Sequence, residues 1–204
     1  MPAPLAEVLP GVWHWRTYHE GIGQDVGSYH LAEPAIAIDP MLPEEGVDWF
    51  AEHGGVAAIL LSCRHHYRDS AAFVDAFGCG VRAPSSGLHE FTHGEPVRGY
   101  DPGDTLPGGV VAQEVDALSP DETALHIPAA RALVVADGVV QWEPGGPLGF
   151  VPDFLMGEDP EAVKAGLTAA FTRLLDLEFD HLLLAHRRPV IGGGKEALRQ
   201  FLAA

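Results

Sequence analysis

An apolar run, Ile59-Leu60-Leu61, breaks off into Ser62-Cys63-Arg64-His65-His66-Tyr67-Arg68-Asp69, and a helical pattern resumes at Ser70. Strand, loop and helix in that order constrain the chain to layered α/β architecture, in which ligand-binding loops follow the carboxyl ends of strands. The loop is dense in groups able to carry charge, bind a metal or move a proton. Cys63, His65 and His66 are metal-ligand types, while Arg64, Tyr67 and Arg68 are not.

The flanking pattern repeats twice. Val12 to Trp15, Val26 to Leu31 and Ala35 to Ile38 read as short strands, the last closed by the turn-like Asp39-Pro40. Glu44 to His53 predicts a helix, Val56 to Ser62 a buried strand, Ser70 to Phe77 a helix and Gly80 to Ala83 a strand. In the second half Val110 to Val115, Thr123 to Ile127 and Ala132 to Val135 are strands, with Asp137-Gly138 a turn signal. Pro144 to Asp153 reads as a Gly- and Pro-rich loop. Asp159-Pro160 then opens a helix with Asp at the N-cap and Pro at the first helical position. Its Val163, Leu167, Phe171 and Leu175 form a core-facing stripe. His181 to Ala185 is a strand and Lys195 to Leu202 a terminal helix. Each half runs strands first and then alternates strand with helix, so two sheets bury one face on each other and one under helices. No stretch has a linker's composition, and residues 1–204 read as a single domain.

A formal charge of −17 argues against nucleic acid and anionic membrane as partners. Cys63 and Cys79 are the only cysteines, too few for a disulfide framework, and a reducing cytoplasm is the simplest setting. No signal peptide or membrane span is evident. Oligomeric state is not written in the pattern.

The landmarks Ile38-Asp39-Pro40, Ser62 to Ser70, Val134-Val135-Ala136-Asp137-Gly138 and Leu183-Leu184-Ala185-His186, in that order, resemble the metallo-β-lactamase fold. The resemblance spans Pro10-Gly11-Val12 to the terminal helix and implies an α/β (α+β) chain built as a four-layer αββα sandwich. It further implies that Asp137 and His186 stand where the family keeps metal ligands. The His-x-His-x-Asp-His motif is altered: Cys63 falls at the first His, His65 matches the second, Tyr67 replaces the Asp and Arg68 the final His. The family's middle His should lie near Ala117 to Pro120, where none occurs.

Two readings follow. In the first, the chain lacks the dinuclear metal site, holds no cofactor, and binds a small anionic molecule in the altered pocket through Arg64, His66, Tyr67, Arg68 and Arg187. Arg68 then stands in for a metal with Asp137 as its partner, since a fixed guanidinium repels a divalent ion. In the alternative, His65, Asp137 and His186, with Cys63, hold one zinc, iron or manganese ion and serve as the catalytic set of a hydrolase acting on an ester, thioester or lactone-like bond. A metal-free route using Cys63 as thiolate and His65 as base is a third, against which Cys63 reads as a small buried filler. His126 reads as a packed strand residue. The His89-x-x-x-His93 pair has ligand spacing, but Thr92-His93-Gly94 looks like a helix ending.

Overall fold

Alternation along the strand Val12–His19 sorts the core. Val12 enters an apolar cluster with Tyr29, Ile36, Ile38 and Leu60, whereas Trp15 enters another with Phe50, Ile59 and Phe73. Successive side chains of a strand point to opposite faces, so one sheet serves two cores. The computed structural model describes residues 3–143 and 145–204.

Seven strands lie in chain order in the larger sheet: β1 (Ala3–Leu9), β2 (Val12–His19), β3 (Gln24–Leu31), β4 (Ile36–Ile38), β5 (Ala58–Leu60), β6 (Gly80–Pro84) and β7 (Val97–Tyr100). Pairing is antiparallel through β4 and parallel from β4 to β7. The second sheet has the order β13-β10-β9-β8, formed by β8 (Val111–Glu114), β9 (Thr123–Ile127), β10 (Ala132–Val135) and β13 (His181–Leu184). A small ribbon pairs β11 (Val140–Gln141) with β12 (Leu148–Gly149).

Between the sheets lie Val12, Tyr29, Ile38 and Leu60 from one side and Ala112, Leu125, Val134 and Leu183 from the other. Helices α1 (Asp48–Glu52) and α2 (Ser70–Phe77) cover the outer face of the larger sheet, where the Phe50 ring lies 5.4 Å from Trp15 and 5.0 Å from Phe73. Each of these fully buried aromatic side chains contributes roughly 1.5–3 kcal/mol from burial alone. Helices α3 (Pro160–Leu174) and α4 (Gly194–Leu202) cover the second sheet, with Leu167, Phe171 and Leu198 packed on Leu133, Val135, Leu182 and Leu184. The layers therefore run α, β, β, α, the architecture implied by the sequence. Asp159 caps α3 by accepting the Ala162 amide at 3.0 Å.

Several boundaries depart from the sequence expectation. The helix expected over Glu44 to His53 starts only at Asp48, because Gly46 sits at φ +68°, a left-handed turn that a helix cannot pass through. Strands β1 and β7 have no counterpart in that expectation; β1 is an edge strand and largely solvent-facing, so it lacks the apolar alternation that signals a strand. His89 lies at the end of a 3₁₀ turn, Ser85–Glu90, and His93 beyond it, both exposed and on no common helical face. The expected loop Pro144 to Asp153 contains β12, and its first residue, Pro144, lies outside the described residues. Among the described residues no helix is long and apolar enough to cross a membrane.

Candidate functional site

Four strand ends converge. Asp39 follows β4, Ser62 and Cys63 follow β5, Asp137 follows β10 and His186 follows β13. The sheets are tied together here: the Thr123 amide donates to the Ser62 carbonyl at 2.9 Å, the Gly27 amide to the Ala185 carbonyl at 2.7 Å, and the Tyr29 hydroxyl to the Leu184 carbonyl at 2.8 Å. A Cβ on Gly27 would lie 2.8 Å from the Leu184 carbonyl oxygen, so only glycine permits this approach.

Asp39 organises the floor. Its carboxylate accepts the Ser62 amide at 2.8 Å and the Ser62 hydroxyl at 2.5 Å, and lies 3.0 Å from His66 Nδ1. With Nδ1 held there, the other ring nitrogen, Nε2, faces Asp137 Oδ1 at 3.4 Å. His186 Nε2 lies 2.9 Å from that same oxygen. Burial opposes charge on His66, yet the Asp39 and Asp137 carboxylates, joined by Cys63 once its thiol ionises, outweigh it and raise its pKa well above the usual imidazole value. Burial alone would raise both carboxyls. Instead His66 holds Asp39 below the carboxylate range, with help from Arg68 and Ser62, while His66 and His186 hold Asp137 well below it. Burial pushes the Cys63 thiol up.

One further carboxyl belongs to the site. Glu122 is buried, accepts the Gly138 amide at 2.7 Å through Oε1, and leaves Oε2 without a partner among the described residues. Burial, then the Asp137 charge, raise its pKa to about 8, so it is a neutral acid at pH 7. The only sequence signal for it was a glutamate opening an otherwise buried run, Glu122 to Ile127.

The loop after β5 arranges its residues differently from an extended segment. Arg64–His66 form a 3₁₀ turn, which brings His66 inside and leaves His65 exposed. His65, expected as a ligand or base, therefore lies outside the cluster, and His66, expected among the anion-binding residues and not among the metal ligands, lies within it. Tyr67 packs outward, its ring 5.7 Å from Phe91 in the cluster beneath α2. The Arg64 guanidinium pairs with Asp121 and donates to the Ser119 hydroxyl at 2.6 Å. Arg68, at φ +45°, donates to the carbonyls of Gly27 at 2.9 Å and Asp39 at 2.7 Å. Its hydrogen bonds thus go to backbone and not to the Asp137 carboxylate, although both Asp39 and Asp137 attract its charge. Arg187 is half-buried at φ +76° beside Arg16.

Cys63, His66 and Asp137 each present one ligand atom, all within 4.8 Å of one another. An ion with bonds of about 2.0–2.3 Å in a tetrahedral shell spaces its ligand atoms by roughly 3.3–3.8 Å, so small side-chain adjustments suffice. Thiolate, imidazole and carboxylate suit zinc or a neighbouring divalent ion. The Asp39 carboxylate on Nδ1 is the outer partner that metal-bound histidines commonly have. The residues present fit a single ion, with His186 next to the set.

No protein-family model matches the sequence, and no curated protein matches it significantly. Solved structures do match. DIM-1 metallo-β-lactamase superposes with a TM-score of 0.74 at 12% identity, covering 100% of this chain and 99% of that one. A β-lactamase domain protein from Burkholderia ambifaria gives 0.66 at 17% identity, covering 100% and 77%. A metallo-β-lactamase family protein from Thermus thermophilus gives 0.65 at 16% identity, covering 95% and 79%. At these identities the likeness speaks for architecture: the chain has the metallo-β-lactamase fold.

Proposed function

We propose that the chain binds one divalent transition-metal ion through Cys63, His66 and Asp137, with His186 adjoining, and acts as a hydrolase of an ester, thioester or lactone-like bond. The convergence of three unlike donors from separate strand ends within 4.8 Å carries the reading. An ion held there supplies a Lewis acid and an activated water to the reaction. The chain's own residues do the rest. Asp39 fixes the His66 ring by its Nδ1, and Glu122, neutral at pH 7, stores a proton behind Asp137. His186 holds Asp137 from the solvent side, its ring 18% exposed against 5% for His66.

Charge balance supports the same ligand set. Without an ion, Asp39 and Asp137 are offset by Arg68 and protonated His66. With a divalent ion the His66 and Cys63 protons leave, and two positive charges replace two, so Arg68 can stay where it is. A two-metal centre lacks supporting donors: among the described residues this is the one cluster of three. That Asp39, Asp137, Arg68 and His66 balance one another's charge supports a second reading, a pocket that binds a small anionic molecule without catalysis.

Elemental analysis of protein purified without chelator tests the choice. About one equivalent of zinc, iron or manganese, lost in His66→Ala and kept in His65→Ala, is the expected result. Protein that carries no metal and takes up none of these ions when they are added would overturn the hydrolase reading and leave the anion pocket.

A further inference from the structure

Two arginines stand side by side on adjacent strands of the larger sheet. Arg82 on β6 and Arg98 on β7 are register partners in a parallel pair, so their side chains leave one face side by side. Like charges placed directly opposite each other destabilise a sheet. Counter-charge is plentiful in a chain with 29 acidic and 12 basic residues. Arg16, Arg64, Arg131, Arg173 and Arg199 each have a carboxylate within 4.0 Å. The side chains of Arg82 and Arg98 have no hydrogen-bond or ion-pair partner among the described residues. A charged residue on an edge strand discourages strand addition, which accounts for Arg98 on β7. It does not account for Arg82, because β6 is paired on both sides.

Both side chains border an open groove of ≈ 760 Å³ at the start of these strands, with Ala58 and Pro107 on their own side of the sheet and Val74 and Val97 on the α2 side. That volume is of the size that holds small ligands. A Cβ on Gly80 would meet nothing within 4 Å, so the space over β6 is open. Ala58, Gly80 and Val97 are the first residues of β5, β6 and β7, whereas the cluster around Asp39 lies at the carboxyl ends of strands. The groove is a second place on the molecule and independent of the metal reading.

We infer that this groove binds a small organic anion, its phosphate or carboxylate received between Arg82 and Arg98 and its apolar body lying against Ala58 and Pro107, on the same side of the sheet. Such a ligand supplies the counter-charge that the sheet lacks. Paired guanidinium groups suit oxyanions because each offers parallel N–H donors. The apolar walls favour an aryl or alkyl phosphate or carboxylate over the bare ion.

Titration of ¹⁵N-labelled full-length protein with phenyl phosphate at low salt tests the site. Saturable shifts of the Gly80, Arg82 and Arg98 amides are expected, with about tenfold weaker binding in Arg98→Gln, the size of one charge-assisted hydrogen bond. Gly80→Leu, which fills the groove and keeps both charges, should abolish the shifts while the rest of the spectrum stays in place. Phenol should leave these amides unmoved. The inference is overturned if phenyl phosphate produces no saturable shift there, if phenol binds equally well, or if an Arg82→Gln/Arg98→Gln variant binds with unchanged affinity.

Discussion

Replacing Asp39 by asparagine keeps the side chain's shape and removes the charge on which the site floor is built. The carboxylate accepts from the Ser62 amide, the Ser62 hydroxyl and His66 Nδ1, at 2.8, 2.5 and 3.0 Å. An amide has one oxygen, so its NH₂ must face at least one of these groups. Removing one partner of a buried ion pair costs about 3–5 kcal/mol. The Ser62 hydroxyl can turn to accept from the new NH₂ and recover about 1 kcal/mol, leaving roughly 2–4 kcal/mol. Two titrations set the pH window. The folded pKa of Asp39 is lowered, so its contribution is present above the unfolded value of about 3.9 and lost as pH falls through the folded value. That of His66 is raised, so its contribution is complete below about 6.5 and lost as pH rises through the folded value. The gap between wild type and Asp39→Asn is therefore widest near pH 5.5 and narrows in alkali. Urea unfolding of both proteins with chelator present, at pH 5.5, 7.5 and 9.5, reads it as a shift in midpoint at common slope. A gap under about 1 kcal/mol at pH 5.5, or one that widens with pH, would refute the proposed pairing, since a buried ion pair should cost roughly 2–4 kcal/mol when broken.

Metal uptake should release two protons near neutral pH, because His66 and Cys63 both hold theirs in the free site. The apparent affinity should then rise about a hundredfold per pH unit, measured by competition against a chromophoric chelator. Asp39→Asn should weaken metal binding about 10–100-fold in the same assay by releasing the His66 ring. His66→Ala should lose binding outright, while His65→Ala, an exposed residue, should leave it unchanged in calorimetry. Gly27→Ala should lower stability by about 1–3 kcal/mol in thermal unfolding, because the new Cβ meets a backbone carbonyl and the imidazole of His14.

Much of the architecture was legible in the residues. Ser70 to Phe77, Thr123 to Ile127 and Ala132 to Val135 have the bounds expected from their apolar periods, and the Asp159-Pro160 start of α3 is where its capping chemistry puts it. The strand-end positions of Asp39, Asp137 and His186 were legible too, because an apolar run that stops at a polar residue marks where a buried strand surfaces. The choice between His65 and His66 was not. On an extended segment the two would face opposite ways, but the 3₁₀ turn over Arg64–His66 reorients both. In the sequence Arg64 reads as an anion-binding cation and Arg68 as the partner of Asp137; their actual partners, the Asp121 carboxylate and the Gly27 and Asp39 carbonyls, come from other parts of the chain.

Periodicity and turn chemistry are local, and they determined the layers: which segments are buried strands or helices, which faces are apolar and where the buried strands end. The contents of the pocket are not local. Ser62 meets Asp39 across 23 residues and His186 meets Asp137 across 49, distances in sequence over which no pattern of neighbours specifies contact. Only the packing of two sheets, drawn together where Gly27 lacks a side chain, decided that His66, Cys63 and Asp137 share one small volume.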